Sequence, residues 1–224
     1  MGQQAAHPFP YADRQDAGRV LGRALSAYRS SGALVLGLPR GGVPVAAEAA
    51  AGLGAALDVV LVRKVGHPRQ PELAAGAIAD AGGTAAEVWN EDIVKAWLSA
   101  AGQDGQDQLD AVLAAERREL ARRTARFRGS RAPLGITGRT VIVVDDGVAT
   151  GATMRAALAA VRSLDPDWLV AAAPMSCGPA AGIAAAADEV VLPWAASGLP
   201  AVGSAYERFG QTPEEEVRSL LGVT

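Results

Sequence analysis

Residues 140–153 constrain the fold of this chain more than any other stretch. They read TVIVVDDGVATGAT, an apolar β-branched run followed by two adjacent aspartates and a loop of small and hydroxyl residues. An uninterrupted run of this kind predicts a strand buried on both faces, which is typical of a parallel sheet. The Ala-rich residues 154–164 predict a helix. The stretch therefore predicts a strand–loop–helix unit with Asp145 and Asp146 at the carboxyl end of the strand.

The loop after the two aspartates suits an anionic group. Ligands bind at the carboxyl ends of parallel strands, where a loop that opens a helix offers backbone N–H groups and the positive end of the helix dipole. Gly147, Gly151 and Ala152 keep side chains away from such a ligand, and Thr150 and Thr153 can donate hydroxyl hydrogen bonds. The aspartates should instead face neutral hydroxyls or a hydrated cation. The stretch predicts a ligand such as a sugar phosphate.

A second strand–loop–helix unit repeats this arrangement earlier in the chain. Residues 33–38 predict a short strand and residues 43–51 a helix. In the PRGG loop between them, Arg40 carries a permanent cation, and Gly41 and Gly42 let the backbone approach an anion. An ordinary turn with a solvated arginine explains the loop equally well by itself. Because the chain also contains the acidic stretch at 140–153, anion binding by this loop is favoured over an ordinary turn.

A third apolar run, residues 58–62, is followed by Arg63 and Lys64. Two cations at the end of a strand are costly unless a negative group lies nearby, and the alternative is a solvated pair at a sheet edge. Residues 67–72, HPRQPE, are polar, flanked by proline and without periodicity. Such a segment is typical of a mobile loop that closes over a site.

The whole chain alternates predicted strands and helices, which favours an α/β fold: a doubly wound, mostly parallel sheet of about five core strands. We expect core strands to start near residues 33, 58, 141, 168 and 189, and a small hairpin from 74–80 and 87–89. A single domain is predicted for 1–224. Its parts are a core at about 33–194, a helical insertion at about 90–129, and a cap from about 1–31 and 195–224.

The helical insertion is rich in arginine, which could indicate a nucleic-acid-binding face. Glu116, Glu119 and the net charge of −3 favour a solvated helix instead. The arginines expected mostly on its outer side are Arg117, Arg118, Arg122, Arg123, Arg126 and Arg128.

Composition excludes several classes of protein. A net charge of −3 argues against nucleic-acid binding driven by overall charge. With Cys177 as the one cysteine there is no internal disulfide, which fits a reducing cytoplasm. From the polar, Pro-containing residues 1–14 we expect no signal segment, and no apolar run reaches the ~20 residues that span a bilayer. We therefore expect a cytoplasmic protein without membrane or nucleic-acid partners. Neither a His/Cys cluster for zinc nor a Walker motif occurs.

The three loops together resemble those of the type I phosphoribosyltransferases. VIVVDDGVATGAT is similar to that family's phosphoribosyl-diphosphate signature, LPRGG to its pyrophosphate loop, and RKVG to the basic pair placed against the diphosphate. The chain departs from the pattern at Gly147, where members usually carry a branched apolar residue. The resemblance implies a Mg²⁺-dependent enzyme of nucleotide metabolism, which transfers 5-phosphoribosyl from phosphoribosyl diphosphate to a nucleobase-like acceptor and releases pyrophosphate.

The resemblance also implies residue roles. The phosphoribosyl group would be bound by Asp145, Asp146, Gly147, Val148, Ala149, Thr150, Gly151, Ala152 and Thr153. The diphosphate would be bound by Arg40, Gly41, Gly42, Arg63 and Lys64. The catalytic residues would be Arg40, Lys64, Asp145 and Asp146. Mg²⁺ would be held mainly by substrate oxygens and water, with no direct protein ligand.

The acceptor is the least determined part of the prediction. Ala149 stands where 6-oxopurine-specific members carry an aspartate, which speaks against hypoxanthine or guanine. Trp194 could stack on a planar acceptor, or it could be a core tryptophan beside Pro193. The alternative function is a regulatory or sensor protein of the same fold, which binds phosphoribosyl diphosphate or a nucleotide without turnover. A homodimer is left open.

Overall fold

The structure is a computed structural model that describes residues 10–67, 70–178, 181–196 and 198–223. The strands are β1 (Leu34–Gly37), β2 (Ala56–His67), β3 (Gln70–Ala81), β4 (Thr84–Trp89), β5 (Thr140–Val144), β6 (Trp168–Ala172), β7 (Met175–Ser176), β8 (Glu189–Val191) and β9 (Trp194–Ala195). The helices are α1 (Arg14–Ala24), α2 (Gly42–Leu53), α3 (Glu91–Ala101), α4 (Gly105–Arg128), α5 (Ala152–Arg162), α6 (Ala181–Ala184) and α7 (Glu214–Leu220). Short 3-10 turns occur at Ser26–Tyr28, Gly102–Asp104 and Val202–Ala205.

A seven-stranded sheet with the order β4-β3-β2-β1-β5-β6-β8 forms the centre of the fold. Neighbouring strands from β2 through β1, β5 and β6 to β8 are parallel, and they are the five core strands expected from the sequence. Residues 141–144 of β5 are fully buried, because the sheet is covered on both faces. The predicted fold class is confirmed.

Side chains of the central strands alternate between two apolar layers. Val35 and Ile142 face α1 and α2, whereas Leu36 and Val143 face α5. This alternation follows from the two-residue period of a strand. Helices α3, α4 and α7 cover the part of the sheet that contains β2 and β3.

The sequence predicted a hairpin from 74–80 and 87–89, which the structure shows as β3 and β4, but it did not predict that β3 also forms a hairpin with β2. The strand expected over 74–80 is the twelve-residue β3, which pairs antiparallel with β2 from Val60 to His67 and joins the main sheet together with β4. The loop expected at 67–72 is therefore the tip of this hairpin: His67 ends β2 and Gln70 begins β3, while residues 68 and 69 lie outside the described residues. Local composition did not indicate these strands, because residues 63–72 are mostly polar and include two prolines, whereas the ladder is formed by backbone groups of the two strands.

The arginine-rich helix α4 is mostly solvated, as expected, with one exception. Arg117 and Arg126 form ion pairs with Glu87 and Glu214 at half-exposed positions. Arg128 was predicted on the outer side but is only 5% exposed. Its Nη1 lies 2.6 Å from Asp80 Oδ1, and its Nη2 lies 3.7 Å from Asp58 Oδ1. Arg128 is buried because it ties the end of α4 to carboxylates on two strands of the sheet. Within the described residues, no helix is long and apolar enough to cross a membrane.

Candidate active site

Asp145 and Asp146, called here the acid pair, follow β5 at the carboxyl edge of the parallel strands. The last residues of β1 and β5, Gly37 and Val144, are partners in the sheet register. The loop after β1, residues 39–42, therefore starts beside the acid pair. We call it the Arg40 loop; its Pro39–Arg40 peptide bond is cis.

The Arg40 loop packs directly on the acid pair, and its glycines make this approach possible. A Cβ on Gly41 would overlap the Asp146 carboxylate, at 2.8 Å from its Cγ. A Cβ on Gly42 would lie 2.6 Å from the carbonyl oxygen of Val144 and 2.9 Å from Cα of Asp145. Any side chain at either position would push the two loops apart. The structure thus brings together two loops that the sequence singled out separately.

The third part of this edge is the Thr150 loop, residues 147–151, which opens α5. Gly151 has φ of +70°, a left-handed conformation that side chains disfavour, and it caps the helix. The first N–H groups of α5 have no partner inside the helix. Ala152 N–H donates a long hydrogen bond of 3.4 Å to Thr150 Oγ1, a partner that an anion can replace. Thr150 and Thr153 are exposed and can add hydroxyl donors. This arrangement has the features of a phosphate-binding helix start.

The Arg155 side chain stabilises the Thr150 loop, a contact that the sequence analysis missed. Its Nη1 donates a hydrogen bond to the carbonyl oxygen of Thr150 at 2.8 Å. An arginine one turn into the helix is a common sequence feature, so no pattern indicated this role.

Gly147, the departure from the family pattern, is explained by packing against the C-terminal segment. A Cβ at Gly147 would overlap Cγ1 of Val202 and lie 3.0 Å from Sδ of Met175. Val202 begins the 3-10 turn Val202–Ala205, which thus packs on the Thr150 loop. The branched side chain that the sequence lacks at 147 is replaced in space by one that enters from residue 202.

Arg14, at the first residue of α1, contacts the acid pair from the side of the N-terminal helix. Its Nε lies 2.8 Å from Asp146 Oδ2, and the two side chains are 12% and 15% exposed. Its Nη1 donates to the carbonyl oxygen of Gly210 at 2.7 Å, and its Cζ lies 4.0 Å from the centre of the Phe209 ring. No local sequence pattern indicates this residue, because its partner Asp146 lies 132 residues further along the chain.

The backbone of the acid pair is also held. The Tyr206 hydroxyl donates a hydrogen bond to the carbonyl oxygen of Asp146. The Tyr206 ring stacks on Phe209 with centroids 4.9 Å apart. Asp146 N–H donates to Asp145 Oδ1 at 2.9 Å. The acid pair therefore has one fixed geometry, set by both ends of the described chain.

Burial and mutual repulsion disfavour charge on the acid pair. Burial, and then the charge of Asp146, raise the pKa of Asp145 to about 8, against the smaller effects of the Asp146 N–H and Arg14. Burial also raises the pKa of Asp146, opposed chiefly by its hydrogen bond from Arg14. Burial and the nearby acid pair raise the pKa of Tyr206, so its hydroxyl stays a donor. Carboxyl groups with such raised pKa values at the carboxyl edge of a parallel sheet are candidates for function.

The predicted basic residues are not all brought together. Arg40 is half-exposed in the loop that touches the acid pair, and no described residue forms an ion pair with it. Arg63 points toward α4, where its Nε lies 2.6 Å from Glu116 Oε2. Lys64 projects from the opposite face of β2 and is exposed. The two residues expected to act as a pair therefore face opposite sides of the sheet.

Lys64 also lies well beyond the edge where the acid pair sits. Val59 is level with Gly37 in the register of β1 and β2. Lys64 comes five residues later, or about 16 Å further along the strand at the usual rise per residue. The acid pair, the Arg40 loop and the Thr150 loop form one compact site, whereas Lys64 belongs to the projecting hairpin.

Trp194 lies in β9 among the aromatic residues that cover the edge of the sheet. Its ring meets Tyr11 edge-on, with centroids 6.2 Å apart, and it packs in a cluster with Met175 and Ala205. This half-buried position gives Trp194 a structural contact, and its role toward an acceptor stays a prediction.

With this geometry in view, comparison with known proteins identifies the family. A model of the phosphoribosyl transferase domain matches residues 14–176, a span that contains Arg14, the Arg40 loop and the acid pair. The chain belongs to the phosphoribosyl transferase domain family. The predicted resemblance is confirmed.

Curated proteins are similar to the chain over half or more of its length. A Mycobacterium tuberculosis protein, provisionally named a phosphoribosyl transferase, is 45% identical over 215 residues, which cover 94% of this chain and 46% of that protein. The chain thus spans about half the length of the curated relatives it matches first. A Chloroflexus aurantiacus protein named bifunctional protein PyrR is 38% identical over 113 residues, covering 50% of this chain and 52% of PyrR.

Among solved structures, that of TT1426 from Thermus thermophilus has the same fold. It superposes with a TM-score of 0.81 at 40% identity and covers 94% of this chain and 97% of its own. The similarity extends over nearly the whole chain, so this phosphoribosyl transferase domain shares its architecture with a solved protein of similar size.

Proposed function

We propose that this phosphoribosyl transferase domain moves a 5-phosphoribosyl group from phosphoribosyl diphosphate to a nucleobase-like acceptor and releases pyrophosphate. The observation that carries the proposal is the contact of Gly41 and Gly42 with the acid pair, beside a helix start that suits phosphate. A ligand with a phosphate, a diol and a diphosphate would meet a complementary group at each part.

The 5′-phosphate would bind at the Thr150 loop. Backbone N–H groups at the start of α5, the hydroxyls of Thr150 and Thr153 and the helix dipole would all favour a dianion there. The contact of Arg155 with the Thr150 carbonyl would keep the loop in the receiving conformation before the ligand arrives.

The ribose would lie over the acid pair. Carboxylate oxygens accept hydrogen bonds from the 2′- and 3′-hydroxyls and fix the orientation of C1. As the bond from C1 to the diphosphate breaks, the ring gains positive charge, which nearby carboxylates stabilise. This role requires ionised aspartates, so their raised pKa values and the contact with Arg14 bear directly on the reaction.

The leaving diphosphate would bind at the Arg40 loop, with Arg40 and the N–H groups of Gly41 and Gly42 as donors. Lys64 would join this set if the β2–β3 hairpin carried it toward the acid pair, while Arg63 is a weaker candidate because Glu116 already neutralises it. Mg²⁺ fits this arrangement as an ion carried on diphosphate oxygens and water, whose charge offsets that of the leaving group. No cluster of three or more His, Cys, Asp or Glu suited to a metal occurs in the described ranges.

The acceptor is proposed to be a nitrogenous base other than a 6-oxopurine, since Ala149 cannot exchange a proton with the base. A role in nucleotide metabolism and a cytoplasmic location, which the single cysteine fits, belong to the same proposal. We also propose a function without nucleic-acid or membrane partners.

The second candidate is a sensor that binds phosphoribosyl diphosphate or a nucleotide without turnover. The engagement of Arg63 by Glu116 favours it, because a sensor does not need to stabilise a leaving diphosphate.

Pyrophosphate release separates the two. Purified protein is incubated with phosphoribosyl diphosphate, Mg²⁺ and a panel of bases, and pyrophosphate is measured. Base-dependent release supports the transferase and identifies the acceptor, whereas tight binding without release with every base supports the sensor. The Asp145→Asn/Asp146→Asn variant is the matched control: it should stay folded and lose sugar-phosphate affinity in calorimetry. Unchanged affinity would remove the acid pair from the site.

A further inference from the structure

Arg14 is the one cation bonded to the acid pair within the part of the chain that the structure describes. The N–O distance of 2.8 Å to Asp146 is that of a strong charge-assisted hydrogen bond. Both side chains are at least 85% withdrawn from solvent, so water screens the contact only weakly.

The Arg14 guanidinium is fixed on several sides by other segments. It donates to Gly210, lies over the Phe209 ring, and its Nε would be 3.2 Å from a Cβ on Gly41 of the Arg40 loop. Three segments distant in the sequence, α1, the Arg40 loop and residues 206–210, therefore meet at this side chain. So many restraints hold Arg14 in a single orientation toward Asp146.

The groups that face the acid pair make Arg14 decisive for its charge. Asp145 and Asp146 repel each other, and the Tyr206 hydroxyl is neutral and donates to the Asp146 carbonyl rather than to its carboxylate. Among the described residues, the other hydrogen bond to a carboxylate of the pair comes from Asp146 N–H to Asp145, and its donor is a dipole rather than a charge. Arg14 thus supplies the positive charge that favours ionisation of two partly buried carboxyl groups.

We propose that Arg14 is a positioning residue of the active site: it keeps Asp146 ionised and turned toward the ribose, and so makes helix α1 part of the site. The inference rests on the proposed function in that ribose is taken as the ligand of the acid pair. A protonated or rotated carboxyl group would lose acceptor capacity for the diol. Arg14 acts through Asp146 and does not itself need to touch the substrate.

The test compares Arg14→Gln and Arg14→Lys with the wild type in calorimetric titrations of ribose 5-phosphate from about pH 6 to about pH 9. Binding should strengthen with pH as the acid pair ionises. In Arg14→Gln the midpoint should move up by about one pH unit, which weakens binding near neutrality about tenfold. Arg14→Lys should recover most of the affinity, because it restores the charge. Arg208→Gln is the matched control, since it removes a neighbouring exposed arginine bonded to Asp13, and its profile should follow the wild type.

A carboxyl ¹³C titration of the ligand-free variants tests Arg14 independently of any ligand. The inference holds if the pKa values of the acid pair rise in Arg14→Gln and return toward the wild-type values in Arg14→Lys. It fails if they do not move, or if Arg14→Gln merely lowers the melting temperature and keeps the pH midpoint. Tighter ribose 5-phosphate binding by Arg14→Gln would also overturn it, because Arg14 would then compete with the ribose. If the wild type binds no ribose 5-phosphate at any pH, the proposed function fails and the ¹³C titration alone decides the role of Arg14.

Discussion

The hydroxyl of Tyr206 donates a hydrogen bond to the main-chain carbonyl of Asp146, 60 residues earlier in the chain. The second aspartate is therefore held at its backbone by the C-terminal segment and at its carboxylate by Arg14. Both contacts come from outside the strand–loop–helix unit that carries the acid pair. The terminal segments are thus part of how the site is built.

Tyr206→Phe should weaken phosphoribosyl diphosphate binding several-fold and lower the free energy of unfolding by about 1–2 kcal/mol, because a buried carbonyl loses its donor. Calorimetry and urea unfolding measure the two effects. Tyr11→Phe is the control, since Tyr11 donates to the carbonyl of Pro174 at 2.9 Å in the same aromatic cluster. Tyr11→Phe should lower the free energy of unfolding by a similar amount and leave the affinity for phosphoribosyl diphosphate unchanged. An equal loss of affinity in both variants would show that Tyr206 has no specific role in the site.

Gly41→Ala should reduce phosphoribosyl diphosphate affinity by about 100-fold, because the new methyl group overlaps a carboxylate that Arg14 holds in place. Gly52→Ala in α2 is the comparison: nothing lies within 4 Å of its Cβ position, and alanine there should stabilise the helix by about 0.5–1 kcal/mol. The test is to measure the affinity of both variants for phosphoribosyl diphosphate. Wild-type affinity in Gly41→Ala would mean that the Arg40 loop lies further from the acid pair.

Asp145→Asn should stabilise the protein, and the gain should grow with pH. The pKa of Asp145 is raised from 3.8 to about 8 on folding, so between these values the folded protein holds a proton that the unfolded chain releases. The free energy of unfolding of the wild type should therefore fall as pH rises through this window. Asp145→Asn should not show this fall, because asparagine does not titrate. Urea unfolding near pH 5 and near pH 8 measures the difference between the two proteins. A gain that shrinks toward pH 8 would show that Asp145 is charged at little cost.

Gly147→Ala should destabilise the protein by about 1–3 kcal/mol, because its methyl group meets Val202 and Met175. Val202→Ala alone should cost about 1 kcal/mol in lost packing. The double variant should be more stable than the sum of the two losses predicts, since the smaller residue 202 makes room for the larger residue 147. Simple additivity in urea unfolding would contradict direct packing between these positions.

Residues 140–153 predicted their own local structure, and the alternation of predicted strands and helices along the chain, together with the family resemblance, predicted the fold class. The strand, the acid pair and the start of the helix could be predicted because the conformation of a β-branched run or a small-residue loop is determined mainly by residues close in sequence. Arg14, Tyr206 and Arg128 escaped sequence reasoning because their partners lie far along the chain. Arg128 also shows that an arginine in a charged helix can be buried when it forms ion pairs with two carboxylates of the sheet, here Asp58 and Asp80. The chemical role of Lys64 stays a prediction, since the structure sets it on the hairpin rather than beside the acid pair.

The β2–β3 hairpin is fastened to the helices beside it at two points, by the Arg63–Glu116 ion pair to α4 and by the ring of His67, 4.8 Å from that of Trp97 in α3. A swing of its tip toward the acid pair would have to drag both helices along or break these attachments. If this protein closes over a substrate, we expect the β2–β3 hairpin to tilt as a whole about a hinge near the sheet, rather than a short loop to move by itself.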